Sequence, residues 1–385
     1  MKIVITGGGT AGHINPALAV AQELRSLGHE LHYAGTPRGL EARLVPQEGF
    51  PYVAFEAAGF DRKKPLSLIT SSAKIAVSAM RARRWLATLS PDVVVGFGGY
   101  VSIPVGLAAS RLKIPLAIHE QNSTGGMANR FLARRAQLLA LAYEAAAKDF
   151  KTEATVEVVG NPVRASLFEA DRARSRASFG LSQDATVLLA FGGSLGARHL
   201  NEALLAQAER LLAQAESQST PQVEPQAASQ PSPNLQVLHI TGTRDFDEAT
   251  ATLKRMPQVA PHWHLIDYCD RMGEAYAAAD AVCSRAGATT LAEIGTLGLP
   301  SLLVPYPYAA ADEQTANARS LVDAGAAAML ADSELDSPLF IERLTRLVSD
   351  ADYRADMRSA AASLGKAQAR QTLARLIIAL PKTLQ

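Results

Sequence analysis

A histidine at the mouth of a helix is the first residue of this chain whose neighbours suggest chemistry. The run GGGTAGHINP (7–16) follows a strand-like KIVIT (2–6). A glycine turn from a strand into a helix offers backbone N–H groups and a positive dipole end, a common cradle for phosphate. His13 stands just inside that turn. A helix N-terminus disfavours imidazolium, so the ring is neutral at pH 7 and can take a proton from a hydroxyl. The same ring could instead cap or pack at the turn, stabilise a leaving group or position a substrate. Glu120 is the second candidate. It lies in HEQN (119–122), at the end of an apolar run, where open α/β sheets place their ligands.

The glycine turn recurs in FGGSLGARHLN (191–201) and in SRAGATTLAEIGTLGLPSLLVPYP (284–307). In the last run Gly287 and Ala288 open a helix carrying Thr289, Thr290 and Glu293, and Gly298 closes it. Helix N-termini aimed into one crevice suit a nucleotide diphosphate. The serines and threonines there also serve as ordinary N-caps. A dinucleotide fold would use similar turns, but the second strand ends in HYAGTPRGLEARL, without an acid at its tip; Glu41 comes several residues later, in a helix. The pair Asp245 and Asp247 in DFD resembles a manganese-holding motif, yet its place at a helix start suits capping better, and no metal or cofactor is expected.

These residues need elements to hold them. Apolar runs at 2–6, 31–35, 52–57, 92–99, 115–120 and 156–160 alternate with helical patterns, and the pattern restarts at 186–191 and continues through 235–242, 262–269, 280–287 and 301–307. Such runs read as parallel strands buried on both faces. Two arrays, each opening on a strand and a glycine turn, predict two doubly wound Rossmann-like domains facing each other across a cleft. The expected division is 1–163 and 164–363, and the terminal helical segment, about 364–385, is free to pack back on the first domain. Residues 214–234 hold five Gln, four Ser and four Pro, with Val223 as the one sizeable hydrophobe, and read as a disordered insertion.

Composition adds exclusions. Net charge is +1, so no global field draws the chain to nucleic acid. The two cysteines, Cys269 and Cys283, form neither a disulfide framework nor a zinc site. The N-terminus carries no secretory signal pattern and no apolar run is long enough to span a bilayer, which predicts a cytoplasmic chain.

Six ordered motifs, GGGTAGHINPALAVAQEL, GFGGYVSIP, HEQNSTGGMANR, VVGNPVR, FGGSLGARHLN and SRAGATTLAEI with its downstream GLPSLLVPYP and DEQTANA, together resemble the MurG family of bacterial peptidoglycan synthesis. The resemblance covers nearly the whole chain except 214–234. It implies a GT-B fold and an inverting transfer of N-acetylglucosamine from UDP-GlcNAc to the 4-hydroxyl of undecaprenyl-linked lipid I, forming lipid II. It further implies that Arg164, Ser194, Cys269, Ala288, Thr289, Thr290, Leu291, Ala292, Glu293 and Gln314 hold the donor. Thr10, Ala11, Gly12 and Asn122 would reach the sugar from the N-terminal side. Ala11, Leu195 and Glu313 depart from the family pattern, and a carboxylate at Glu313 cannot donate as an amide does. Proteins of cell-wall synthesis or division are the partners the resemblance suggests. A UDP-GlcNAc epimerase, another acceptor, and a non-catalytic nucleotide-sugar sensor are the alternative readings.

A lipid-linked acceptor calls for an approach to the membrane. From Phe60 to Leu89 the chain carries seven basic residues against one acid. Lys63, Lys64, Lys74, Arg81, Arg83 and Arg84, with Trp85 among interleaved hydrophobes, predict peripheral docking on an anionic cytoplasmic membrane face. The same hydrophobes also suit packing on the sheet.

Overall fold

The computed structural model describes residues 1–57, 65–193, 196–219, 235–309, 312–363 and 368–380. The chain divides into two units, Met1–Arg164 with Lys366–Gln385, and Ala165–Gly365. Ser194, Leu195, Lys63 and Lys64 lie outside the described residues.

In the first unit, β1 (Lys2–Thr6), β2 (Glu30–Gly35), β3 (Tyr52–Ala54), β4 (Val93–Gly96), β5 (Leu116–Glu120), β6 (Leu138–Leu141) and β7 (Thr155–Val158) form a sheet in the order β3-β2-β1-β4-β5-β6-β7. Every pairing is parallel. The helices are α1 (Ala11–Ser26), α2 (Glu41–Gln47), α3 (Pro65–Leu89), α4 (Ser102–Arg111) and α5 (Met127–Ala133). Successive strand residues face opposite sides. Ile3, Ile5, Val93 and Val95 therefore pack with α1, while Val4, Val94, Leu116 and Ile118 pack with α3 and α4. The last helix, Ala369–Ile378, joins the α1 side through Leu373, Ala374 and Ile377, and Arg370 pairs with Glu23 at 2.7 Å.

The second unit repeats the plan. Its strands β8 (Thr186–Phe191), β9 (Leu235–Ile240), β10 (Trp263–Ile266), β11 (Ala281–Ser284), β12 (Ser301–Leu303) and β13 (Ala328–Met329) run parallel in the order β10-β9-β8-β11-β12-β13. Before, between and after them lie α6 (Arg172–Ser178), α7 (Arg198–Ala206), α8 (Ala208–Ser219), α9 (Phe246–Leu253), α10 (Met272–Ala278), α11 (Ala288–Leu297), α12 (Glu313–Val322), α13 (Pro338–Ser349) and α14 (Ala351–Ser363). In each sheet the order reverses beside the first strand, at β1/β4 and at β8/β11. Those switch points are where such folds bind ligands.

Four local expectations change. The run at 156–160 is not buried on both faces: β7 is the sheet edge, with Val156 and Val158 exposed. β6 was not expected, because its Leu/Ala composition favours helix; burial within the sheet overrides that preference. The expected insertion begins too early at 214. Helix α8 continues to Ser219, with Ala215 buried in the core and the Thr345 hydroxyl donating to Gln214 at 2.7 Å; residues 220–234 lie outside the described residues. A Pro beside a glycine turn suits the first turn of a helix, but Pro16 sits in the second turn of α1, where it removes the helical donor to the Gly12 carbonyl.

Candidate functional site

The first unit's switch point brings three loops together. Gly8 N–H donates to the Gly98 carbonyl at 3.3 Å, tying the turn after β1 to the turn after β4. His13 lies in the first turn of α1, half-buried against the second of these turns. Gly98 has φ +97°, and a Cβ there would stand 2.9 Å from the imidazole Cδ2 and 3.1 Å from Nε2, so only glycine leaves the ring its place.

The ring's tautomer follows from its partner. His13 Nδ1 lies 3.0 Å from the Gly8 carbonyl oxygen and 3.2 Å from the Thr10 hydroxyl. A carbonyl only accepts, so Nδ1 carries the proton and Nε2 holds the lone pair. Burial is the main influence on the ring, lowering its pKa; Glu120, the Gly8 bond and Glu41 act in the opposite direction. The expected direction is right, but the leading cause is desolvation rather than the helix end. Thr10 is exposed and does not cap α1, and among the described residues the first-turn N–H groups of Ala11 and Gly12 have no acceptor, the kind of helix end that receives an anion. Ala11 is the first residue of that helix, outside the left-handed region.

The turn is less of a phosphate cradle than its glycines suggest. Gly9 N–H donates to the Glu41 carboxylate at 3.1 Å, and Gly8 N–H is spent on Gly98. Glu41 was passed over because its helix follows a different strand; only the fold brings it beneath the turn.

Glu120 is buried and held on all sides. It accepts from Asn122 N–H at 3.1 Å, Asn122 Nδ2 at 3.3 Å, Gly126 N–H at 2.8 Å and Asn129 Nδ2 at 2.9 Å. Four donors occupy the oxygens a base would use. Glu120, the second candidate, is thus hydrogen-bonded by four donors, and its charge acts on His13. His119 and Gln121 turn inward, with His119 Nε2–H donating to the Gly160 carbonyl at 3.0 Å. Asn129, which sequence reasoning missed, also donates to the His119 carbonyl at 3.0 Å, and its Oδ1 is buried without a partner among the described residues.

In the second unit α11 begins at Ala288 behind an extended Gly287 and stops at Gly298, φ 64°. Neither threonine caps it, which corrects the capping expectation, and the Thr289 hydroxyl is buried without a hydrogen bond among the described residues. Thr289, Thr290 and Glu293 share one helix face by spacing, with Ala292 partly exposed, whereas the Ala288 and Leu291 side chains are buried and offer only backbone. Glu293 is buried and accepts from the Tyr276 hydroxyl at 2.8 Å, a partner on α10 that the sequence did not reveal.

Gln314 Oε1 accepts from Ala286 N–H at 3.1 Å and Tyr306 N–H at 2.9 Å. Its NH₂ end is thus the end left to meet a ligand hydroxyl. Cys269 follows β10 half-buried, and burial raises its thiol pKa, so it stays a neutral thiol. Arg164 Nε is buried without a partner among the described residues. Asp245 stands at the start of α9 without capping it; its carboxylate accepts from Arg198 Nε at 3.3 Å and Asn201 Nδ2 at 2.9 Å. Those bonds explain the aspartate of DFD without a metal.

Helix α3 splits the expected basic face. Lys74, Arg81, Arg83 and Arg84 are exposed, as are Val77 and Met80. Trp85 leaves that face and packs against Phe55, ring centroids 5.6 Å apart, above the sheet. A cavity of about 600 Å³ opens between α3, α4 and α5, lined by Met80, Ile103, Leu107, Met127 and Phe131 together with Arg83 and Arg111. Among the described residues no helix is long and apolar enough to cross a membrane.

The glycosyltransferase family 28 N-terminal domain matches residues 3–140, and the family 28 C-terminal domain matches 187–373. A UDP-N-acetylglucosamine–N-acetylmuramyl-(pentapeptide) pyrophosphoryl-undecaprenol N-acetylglucosamine transferase of Halothermothrix orenii is 40% identical over 382 residues, covering 98% of each chain. The protein of that name from Salinibacter ruber is 39% identical over 380 residues, covering 98% of this chain and 96% of its own. The crystal structure of Acinetobacter baumannii MurG is similar at TM-score 0.73 and 30% identity, covering 98% of this chain and 99% of that one. A UDP-GlcNAc 2-epimerase from Neisseria meningitidis, at 16% identity and TM-score 0.67, shares the fold alone. With two parallel Rossmann-like sheets, both family 28 domains and near full-length relatives, the chain belongs to the MurG family of N-acetylglucosamine transferases and has the GT-B fold.

Proposed function

We propose that this chain moves N-acetylglucosamine from UDP-N-acetylglucosamine to the 4-hydroxyl of the N-acetylmuramoyl group of lipid I, with His13 as the general base. The activity, a UDP-GlcNAc-dependent transfer that turns lipid I into lipid II, goes with family membership. In this reading the hydroxyl proton passes to His13 Nε2 while its oxygen bonds to the anomeric carbon. The bond from that carbon to the diphosphate breaks on the opposite side, UDP leaves, and configuration inverts.

Glu293 accepts from ribose hydroxyls beside its Tyr276 bond, and the open first turn of α11 with Arg164 answers the diphosphate. Gln314 donates through its NH₂ end, and Cys269, Ser194, Thr289 and Thr290 complete the donor set. Thr10, Ala11, Gly12 and Asn122 serve the sugar from the first unit. The observation that carries the reading is the Gly8 carbonyl on His13 Nδ1, because it leaves Nε2 as the basic nitrogen.

The exposed cations of α3 and the apolar cavity beside them support peripheral docking on an anionic membrane face, the hollow taking lipid hydrocarbon. Each such cation is worth about 1 kcal/mol at an anionic surface. The combined Lys74→Gln, Arg81→Gln, Arg84→Gln variant should bind phosphatidylserine vesicles roughly 100-fold more weakly while keeping turnover on a short-chain acceptor. Equal sedimentation with vesicles at low salt would remove this arm.

The direct test of the reaction incubates labelled UDP-GlcNAc with and without a lipid I analogue. Label should reach the acceptor with inverted configuration and stay on the donor without it. Epimer, or free sugar formed without acceptor, would replace the reading with another chemistry.

A further inference from the structure

Glu41, the first residue of α2, is fully buried, and among the described residues no basic side chain pairs with it. Its Oε2 accepts Gly9 N–H at 3.1 Å, while Oε1 accepts Thr36 N–H at 3.0 Å and the Thr36 hydroxyl at 2.6 Å. Burying a carboxylate without a cation is costly. The fold nevertheless makes room for it: a Cβ on Gly8 would fall 2.3 Å from Oε1.

The Gly8 carbonyl and the Gly9 N–H belong to one planar peptide group. Its N–H points to Glu41 and its carbonyl receives His13 Nδ1–H at 3.0 Å. Rotating that plane breaks both bonds at once. A negative charge on the N–H side also polarises the group, which makes its oxygen a better acceptor.

We propose that Glu41 is a positioning residue for His13, acting through the Gly8–Gly9 peptide to fix the Nδ1–H tautomer and to stabilise the imidazolium formed during transfer. This rests on the reading of His13 as the base. It is the work of the carboxylate in a directly bonded carboxylate–histidine pair, carried here across one peptide group. Two carboxylates act on the ring, Glu41 from α2 and Glu120 from β5, and both favour its charged form against the effect of burial.

The test compares Glu41→Gln and Glu41→Asp with wild type, alone and in a His13→Ala background. Glu41→Gln should lower kcat roughly 10–100-fold, the usual cost of losing an outer-shell partner, with KM for UDP-GlcNAc nearly unchanged. The acid limb of its kcat profile should move to lower pH, because a charge favouring imidazolium is gone. Glu41→Asp should keep more of kcat than Glu41→Gln. In the His13→Ala background Glu41→Gln should cost nothing further. Imidazole nitrogen NMR reads the tautomer without turnover: wild type should show Nδ1–H, and Glu41→Gln a mixture. A Glu41→Gln enzyme with wild-type kcat, pH profile and tautomer overturns the proposal while His13→Ala remains inactive. Near-normal turnover in His13→Ala alone instead removes the base, a separate failure. Should Glu41→Gln not fold, the tautomer and titration of His13 in Glu41→Asp decide, and values identical to wild type count against the proposal.

Discussion

The two units share a topology but use their switch-point turns differently. In the first, the turn after β1 spends its amides inward on Gly98 and Glu41 and presents His13 on its open side. In the second, the carboxylate near the turn after β8, Asp245, is answered by Arg198 and Asn201. The turn after β11 keeps an uncapped helix start, a buried Thr289 hydroxyl without a partner among the described residues, and Glu293. In the function proposed above, the same strand–turn–helix unit serves proton transfer where a carboxylate lies beneath it with no cation among the described residues. It would serve ligand holding where its helix end and hydroxyls are left open. Backbone topology sets where a site lies; the charges packed under the turn set what it does.

The largest expected break in this contrast is His13→Ala. Loss of a general base should lower kcat by about two to four orders of magnitude, while UDP-GlcNAc affinity, assigned mainly to the second unit, stays nearly constant. Calorimetry on the variant separates the two quantities. Near-normal turnover would make the two turns functionally alike.

Glu293→Ala should do the reverse, weakening UDP-GlcNAc binding by roughly 5–150-fold as ribose hydroxyls and the Tyr276 hydroxyl lose their acceptor, at about 1–3 kcal/mol. Titration calorimetry measures it. Unchanged affinity would move the donor site elsewhere.

The smallest expected effect compares the units' buried histidines. Burial lowers His119 to about 4 in the first unit and His239 to about 3 in the second. Both are neutral in the fold, whereas in the unfolded chain each takes a proton near pH 6.5. Their stability contributions are therefore complete above about pH 6.5 and fall with pH, by about 1.4 kcal/mol each at about pH 5.5. The loss through His119 levels off near pH 4, and that through His239 near pH 3. The chain's two tryptophans, Trp85 and Trp263, fall one in each unit. Urea melts followed by fluorescence in Trp263→Phe and Trp85→Phe variants thus read the units separately. Equal stability at about pH 8 and about pH 5.5 in one unit would remove the buried neutral histidine there.

Much of this was legible from local pattern. Short apolar runs leading into glycine located β1, β4, β8 and β11, because a strand buried on both faces leaves a continuous apolar signature. β6 and β13 were not legible: one is built of Leu and Ala, the other has two residues, and neighbouring strands supply the reason for both. Tyr276 and Asn129 were missed because a side-chain hydrogen bond between two elements, α10 to α11 and α5 to β5, leaves no periodicity in the chain.

The sequence by itself determined the two βα arrays, the glycine turns, the helix ends at Gly287 and Gly298, the family motifs and the basic character of the segment before β4. Those features depend on neighbours a few residues apart. Tertiary structure alone decided that the Gly8 carbonyl faces His13 Nδ1, that four donors hold Glu120, that Trp85 faces the sheet and that Glu41 lies under the turn. Each of those outcomes depends on which polar or apolar group another element presents. Gly98 reaches His13 from the end of β4, and Glu41 reaches Gly9 from α2 after β2. Hydrogen-bond direction and side-chain facing are fixed only when such elements pack together.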